Sequence, residues 1–386
     1  MAIGIALFND GWNIHVIDIE AAFLEGKLDK PMFVEWLPGM IELGFLSKEE
    51  ARKYVCMLTG GMYGNVQAAL AFFVEYKNHL TKVMKLEQSL TDPCVFFKKD
   101  ERGHLALMAL THVDDTLIAG NEEEIKNFKK GISRRFKFRD EGRLKKHLGV
   151  SYKWKQDEET GERLIEATMH TLVDEIISKY QEIKGSEPKE YSTPGKPNEH
   201  LRKGTEQEEC LHIKEYRSLV GKYMYLVTNI FPEGANAARD LTKYFSNPIK
   251  DHWKALERAI GHLKKTKDTI KITFRKPKEL RMTQSVDSDF ASVEDRRSIS
   301  GNLGTIGGCI TDWQSQTQHT VSLSSAEAEY LSATKGVQMI IFKNNLMNEI
   351  TNKIITPSML LEDNEGCIFI IKNQHTSSRT KHICIL

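Results

Sequence analysis

The chain has 386 residues, 40% of them hydrophobic and 28% charged, an ordinary globular composition with room for two or three domains. Lys and Arg number 54 against 53 acids, so the net charge of +1 gives no whole-chain sign of a nucleic-acid binder. The six cysteines are scattered without a Cys-x-x-Cys pair, which argues against a zinc site or a disulfide framework and suits a reducing compartment. The opening Met1–Phe8 has no basic leader and no apolar run approaches a membrane span. The expectation is an intracellular protein with no membrane partner.

Residues 12–19 alternate well enough for a strand ending in an acid, Asp18, and a short helical stretch from Glu20 to Leu28 follows. Pro38-Gly39 and Gly60-Gly61 punctuate loops. From Gln67 to Met84 apolar residues recur at helical spacing, which predicts a core-facing helix. The apolar runs Leu105–Leu110 and Leu117–Ala119 then flank Asp114-Asp115, the pattern of a hairpin tip between buried strands. Like charges about 4 Å apart repel by roughly 4 kcal/mol at an effective dielectric near 20. The pair therefore points to a divalent-cation site for phosphoryl chemistry. A solvated turn is the plainer alternative, because Asp is a common turn former.

From Lys126 to Lys146 the chain carries ten Lys and Arg, with Phe128, Phe136 and Phe138 interleaved. Such a stretch can follow a phosphate backbone; taken alone, an amphipathic element with a solvated basic face is the plainer reading. Residues 155–163 read as a hairpin loop and 185–208 as a linker or surface excursion. Ile213 to Lys267 is helical in pattern, broken at Phe231–Gly234 and Asn247-Pro248. The last hundred residues read β-β-β-α-β-α: strands Gln284–Phe290, Gly301–Ile306 and Cys309–Gln316, a helix Ser325–Glu349, a strand Met359–Glu362 and a helix Glu365–Lys372. That order predicts a mixed sheet with helices packed against it.

Carboxylates fall into two sets. Asp18, Asp114 and Asp115 converge if the strand ending at Asp18 lies beside the hairpin, a cluster that two-metal nucleotidyl transfer needs. In the C-terminal part, Asp287 lies within a strand, where Asp is disfavoured, Glu327 opens a helix and Asp363 ends a strand. Glu327 has a competing role, since Ser324-x-x-Glu327 is a capping-box pattern. Asp363-Asn364 also fits a simple turn.

The quoted acids lie in longer runs: Asp18-Ile-Glu-Ala-Ala-Phe-Leu-Glu-Gly26, Met62-Tyr-Gly-Asn-Val-Gln67, Ser89-Leu-Thr-Asp-Pro-Cys94, His112-Val-Asp-Asp115 and Leu148-Gly149. Further on come Tyr216-Arg-Ser-Leu-Val-Gly221, Asp295-Arg-Arg-Ser-Ile-Ser-Gly301, Leu323-Ser-Ser-Ala-Glu-Ala-Glu-Tyr330, Glu362-Asp-Asn364 and Arg379-Thr-Lys-His-Ile383. In their joint order these resemble the reverse transcriptase and ribonuclease H region of copia-type LTR retrotransposon Pol polyproteins, nearly end to end.

The resemblance implies an α+β / α/β chain. A partial polymerase right hand (palm with incomplete fingers, then the grip) would cover 1–184, a linker and helical connection or thumb-like segment 185–280, and a ribonuclease H-like mixed-sheet domain 281–386. It implies RNA-directed DNA polymerase and ribonuclease H activities with Mg2+ or Mn2+, two ions per site. Asp18, Asp114 and Asp115 would hold one pair of metals and Asp287, Glu327 and Asp363 the other. Phe23 and Gln67 would sit at the nucleotide, with Leu148, Gly149, Lys145 and Lys146 at the primer and nucleic acid. RNA template, DNA primer, RNA–DNA hybrid and dNTPs are the implied partners, in a cytoplasmic particle or the nucleus.

The departures imply impairment. Met1 falls just before the Asp18 strand, so the expectation is an N-terminal truncation of the fingers. His112 stands where the family usually has Tyr. Val66 and Leu70 replace a Lys and an Arg, Ala69 replaces a Pro, and Cys384 replaces the fourth ribonuclease H acid. Hard cations favour oxygen over a neutral thiol. A non-catalytic RNA–DNA duplex-binding relic is the alternative function.

Overall fold

A computed structural model of the chain describes residues 1–373 except Asp29, Pro38, Tyr63, Val66, Asn198, His200, Glu206, Cys210, Val293, Glu294 and 353–356. Two compact units divide it, Gly11–Leu144 with Glu349–Asn352, and Met1–Asp10 with Lys145–Asn348 and Lys353–Leu386. The described cysteines Cys56, Cys94, Cys309 and Cys367 are free thiols. Among the described residues no helix is long and apolar enough to cross a membrane.

The Gly11–Leu144 unit is built on strands β1 (Asn13–Ile19), β2 (Met32–Val34), β3 (Cys56–Leu58), β4 (Glu87–Gln88), β5 (Val95–Lys99), β6 (Leu105–His112), β7 (Asp115–Gly120) and β8 (Phe138–Arg143). Six of them form one sheet in the order β4-β5-β6-β7-β1-β8, and β2 pairs with β3 separately. All its pairings are antiparallel. The predicted strand to Asp18 and the predicted hairpin are therefore neighbours. In β6 the run Leu107-Met108-Ala109 is buried without alternation, because elements cover both faces of a central strand.

Helix Ala68–Asn78 brings Phe72 and Tyr76 onto Phe136, with ring centroids 6.1 and 5.4 Å away, edge to face. The buried Tyr76 hydroxyl reaches Thr116 Oγ1 on β7 at 3.0 Å. The helix predicted to run to Met84 loosens after Asn78 into a π-helical turn, His79–Val83, which buries His79 and Leu80 side by side. Gly26 is required where the short helix Ala22–Glu25 meets Ala68–Asn78: a Cβ there would stand 2.6 Å from the Phe72 backbone nitrogen.

Helix Glu122–Ile132 opens with Asn121 accepting from the Glu124 amide at 2.8 Å. It carries acids in its first turn and Lys129 and Lys130 in its last, as the macrodipole favours. Phe128 and Phe136 of the basic segment belong to the core of this unit. The interleaved aromatics are thus packing groups, and the amphipathic reading of that stretch is the one the fold bears out for them.

The other unit carries β9 (Lys146–His147), β10 (Val150–Gln156), β11 (Arg163–Thr168), β12 (Ile272–Arg275), β13 (Met282–Asp289), β14 (Ile299–Ile306), β15 (Cys309–Thr317) and β16 (Met359–Leu361). One sheet runs β12-β11-β10-β9 and another β15-β14-β13-β16. In the second, β16 is parallel to β13 and the other pairs are antiparallel. The mixed sheet predicted from the β-β-β-α-β-α order is present, with helices Ser325–Thr351 and Glu365–Asn373 following as expected. Helices His170–Lys184, Ile213–Ile230, Ala235–Thr242 and Lys250–Thr266 bury Tyr216, Tyr223, Leu256 and Trp253 in one core. Trp313 of β15 donates its indole N–H to the Val227 carbonyl at 2.9 Å. The sheet strands and the helical segment therefore share polar as well as apolar contacts.

Candidate functional site: two carboxylate clusters

Asp18 and Asp115 are direct Cα partners across β1 and β7. The Ile19 amide donates to the Asp114 carbonyl at 2.9 Å, so β1 continues beside the tip of the hairpin. His112 pairs with Asp115, leaving Val113-Asp114 as a two-residue connection. Val113 takes φ 56°, a left-handed conformation that β-branched residues avoid. Strain of this kind, about 1–3 kcal/mol, persists only where the surroundings enforce it and gathers at functional sites.

Burial pushes the Asp18 carboxyl above the usual carboxylate range; Arg139 pulls it back, and the charges of Asp114 and Asp115 add to the rise. The Arg139 guanidinium stands 3.1 Å from Asp18 Oδ2 and also pairs with Glu141. A cation therefore already sits against this acid, supplied by β8. Sequence reading missed Arg139 because nothing local marks it among ten basic residues; only the pairing of β1 with β8 brings Asp18 opposite Arg139.

Phe23 lies in the helix Ala22–Glu25, which begins just after β1, and is half-buried. Gln67 is exposed at the start of Ala68–Asn78, its amide held by Asn65 Oδ1 at 2.9 Å. Leu70, on that helix, is 66% exposed. Val66, Cys384 and the run from Arg379 lie outside the described residues. In the other unit Lys145 and Lys146 are exposed, and Leu148-Gly149 forms the turn between β9 and β10.

The second cluster gathers where β13, β16 and the long helix meet. Asp287 is exposed near the end of β13, and Ser332 of the helix donates to its carbonyl at 2.8 Å. Glu327 caps the start of its helix, its carboxylate reaching one residue beyond Ser324. Its carboxylate accepts from the Leu323 amide at 2.6 Å, and its own amide donates to Ser324 Oγ at 3.2 Å.

Glu329, two residues on, is only 6% exposed. Burial pushes its carboxyl up to about 7, and the charges of Glu362, then Asp287 and Asp363, add to the rise. Positions i and i+2 of a helix do not share a face, so the cap and the cluster are served by different glutamates. The sheet-facing stripe Ala333 and Ile340 is buried. Stepping back one turn from Ala333 reaches Glu329, a signal that was available in the sequence and that the capping motif obscured.

Glu362 is also missed by the sequence reading. Burial raises its carboxyl, although the Asn364 amide donates to it at 3.0 Å. Glu329 Oε2 and Glu362 Oε2 are buried without a hydrogen-bond partner among the described residues.

Carboxylate oxygens are the donors that hard divalent cations take, and in both clusters like charges or orphaned buried oxygens call for positive charge. The donor sets fit Mg2+ or Mn2+ in kind. As the side chains stand, no group of three His, Cys, Asp or Glu among the described residues is set to hold a metal ion. In the first cluster the Asp18 carboxylate is turned to Arg139 instead.

The family described as "Reverse transcriptase (RNA-dependent DNA polymerase)" matches residues 2–191. The chain is similar to the Retrovirus-related Pol polyprotein from transposon TNT 1-94 of Nicotiana tabacum, 28% identical over 96% of this chain and 27% of that protein. It is equally similar to the Pol polyprotein from transposon RE2 of Arabidopsis thaliana, 28% identical over 100% of this chain and 25% of that protein. The chain thus spans about a quarter of the length of these curated relatives. Among solved structures it is matched to the Prototype Foamy Virus Protease-Reverse Transcriptase at 11% identity and TM-score 0.21, over 88% of this chain and 37% of that one. A superposition at that score leaves the arrangement to be read from the chain's own elements.

Proposed function

Since this chain belongs to the reverse transcriptase region of copia-type Pol polyproteins, we propose that it is an RNA-directed DNA polymerase with an attached ribonuclease H. In this reading the β4–β8 and β1 sheet is the palm, and the β13–β16 sheet with its long helix is the nuclease. One observation carries the polymerase part: Asp18 and Asp115 are register partners, with Asp114 beside them in a strained two-residue turn. Asp18, Asp114 and Asp115 would hold the polymerase metals. Asp287, Asp363 and Glu329, which takes the place given to Glu327 by sequence, would hold the nuclease metals. Bound Mg2+ or Mn2+, two ions per site, would supply a lowered pKa at the attacking oxygen and neutralise charge on the phosphate.

The chain's own residues do the rest. Asp18 leaves Arg139 to join its two partners, which frees the guanidinium for a phosphate, the anion its fork fits best. Gln67 hydrogen-bonds the incoming dNTP and Phe23 limits the space at its sugar. Lys145 and Lys146 neutralise backbone phosphates of the primer–template or RNA–DNA hybrid. Leu70 presents an exposed apolar surface where a cation would serve the triphosphate, so nucleotide affinity is low and turnover is impaired.

Extension of a DNA primer on an RNA template, with duplex affinity measured in parallel, tests this. The expected result is divalent-dependent extension that Asp115→Asn abolishes while leaving duplex affinity in place. Salt-dependent duplex binding with no extension by the wild-type chain would favour the non-catalytic binder instead.

A further inference from the structure

The turn between β9 and β10 is made by residues that do not favour it. His147 and Val150 are Cα partners, so Leu148 and Gly149 alone connect the strands. Their φ angles are 47° and 75°, two consecutive left-handed residues, as in a type I′ turn. Such turns prefer Asn-Gly or Asp-Gly. Glycine suits the second position, but leucine at the first crowds its Cβ against the following carbonyl. Something outside the hairpin must hold it.

Helix Ile213–Ile230 supplies that support. Tyr225 Oη donates to the Leu148 carbonyl at 2.8 Å. Its ring edge lies 3.4 Å from where a Cβ on Gly149 would stand, so hydroxyl and ring brace both turn residues. The far side of the helix is anchored, since Tyr223, Leu226 and Val227 are buried in the core. Tyr225 itself is 45% exposed. Its neighbours Thr228 and Asn229 turn their side chains back onto the helix carbonyls, at 3.0 Å to Met224 and 2.7 Å to Tyr225. An exposed tyrosine fixed to a strained, exposed turn is a strut, and the lysines leading into that turn, Lys145 and Lys146, are exposed too.

We propose that Tyr225 is a positioning residue that holds the Leu148–Gly149 turn in its left-handed form so that it can seat the sugar–phosphate backbone of the primer strand. This rests on the reading of that turn as a nucleic-acid contact. Tyr225→Phe keeps the ring and removes only the hydroxyl. Leu148→Asn gives the turn a residue that adopts the left-handed form unaided.

The test compares wild type, Tyr225→Phe and Tyr225→Phe/Leu148→Asn by amide exchange at residues 148–150, by the Kd of a recessed primer–template duplex, and by primer-extension kinetics. Expected for Tyr225→Phe are about tenfold faster exchange at the turn and a three- to tenfold rise in duplex Kd and in KM for primer–template, with kcat unchanged. The double variant returns amide exchange at the turn toward wild type. A general packing defect would instead lower thermal stability and kcat, without rescue by Asn. Wild-type exchange and Kd in Tyr225→Phe would overturn the proposal, as would failure of the rescue. If the wild-type chain extends no primer, the polymerase reading fails alone, and exchange with duplex Kd still decides the role of Tyr225.

Discussion

Replacing Glu329 by Gln should stabilise the protein, and only above mildly acidic pH. In the fold this carboxyl titrates at about 7, against an ordinary glutamate value of 4.5, through burial and then the charges of Glu362, Asp287 and Asp363. A raised carboxylate pKa means that the folded state binds the proton more tightly than the unfolded chain. Stability is therefore complete below the unfolded value, falls as pH rises from about 4.5 to about 7, and levels off above it. At 1.36 kcal/mol per pKa unit the loss reaches about 3 kcal/mol by pH 8. Gln is neutral throughout and nearly the same size, so Glu329→Gln should gain up to about 3 kcal/mol at pH 8 and almost nothing at pH 4. Urea unfolding at both pH values measures this, with amide exchange in β13 and β14 assigning the transition. Added Mg2+ at pH 8 should narrow the gap by stabilising the wild type more than the variant. Equal effects of the substitution at both pH values, or a loss of stability at pH 8, would refute the reasoning.

Three more expectations follow from the same structure. Leu70→Arg, at a 66% exposed site, should lower the KM for dNTP by roughly tenfold, the worth of one charge-assisted contact, as read in steady-state incorporation. Glu166 is held below the ordinary carboxylate range by hydrogen bonds from Lys155 and then Lys271. Its stabilisation is present at neutral pH and lost as pH falls through that lowered value, so Glu166→Gln should cost about 1 kcal/mol at pH 7 and little in strong acid, by chemical denaturation. Val113→Asn, which suits the left-handed conformation at φ 56°, should raise stability by about 1 kcal/mol in the same assay.

The first cluster was legible because its signals are local. Alternation through residues 12–19 and the apolar runs around Asp114-Asp115 each specify a strand, and their burial leaves few ways to pair them. What pairs with the outer edge of β1 was not legible: the meeting of Asp18 with Arg139 depends on strand order and on a register shift between Val16 and Ile17. In the second cluster the strand and helix order was readable, while the motif does not separate Glu327, which caps the helix, from Glu329, which is buried beside the sheet. A capping pattern is a short-range signal, whereas the burial of Glu329 is set by how the whole helix lies on the sheet. The aromatic residues of the basic segment follow the amphipathic reading of that stretch. The spacing of Phe128 and Phe136 fits the inward stripe of Glu122–Ile132 and the turn after it, and the core takes them.

The central claim, that Asp18, Asp114 and Asp115 form a working phosphoryl-transfer site, is tested most directly by primer extension on an RNA template at saturating dNTP with Mg2+ or Mn2+. The account predicts slow, divalent-dependent incorporation that falls at least a hundredfold in Asp114→Asn and Asp115→Asn, roughly 2.7 kcal/mol of barrier, with both variants still folded and duplex-bound. Incorporation that persists in those variants, or a folded wild-type chain that binds duplex and adds no nucleotide, would contradict it.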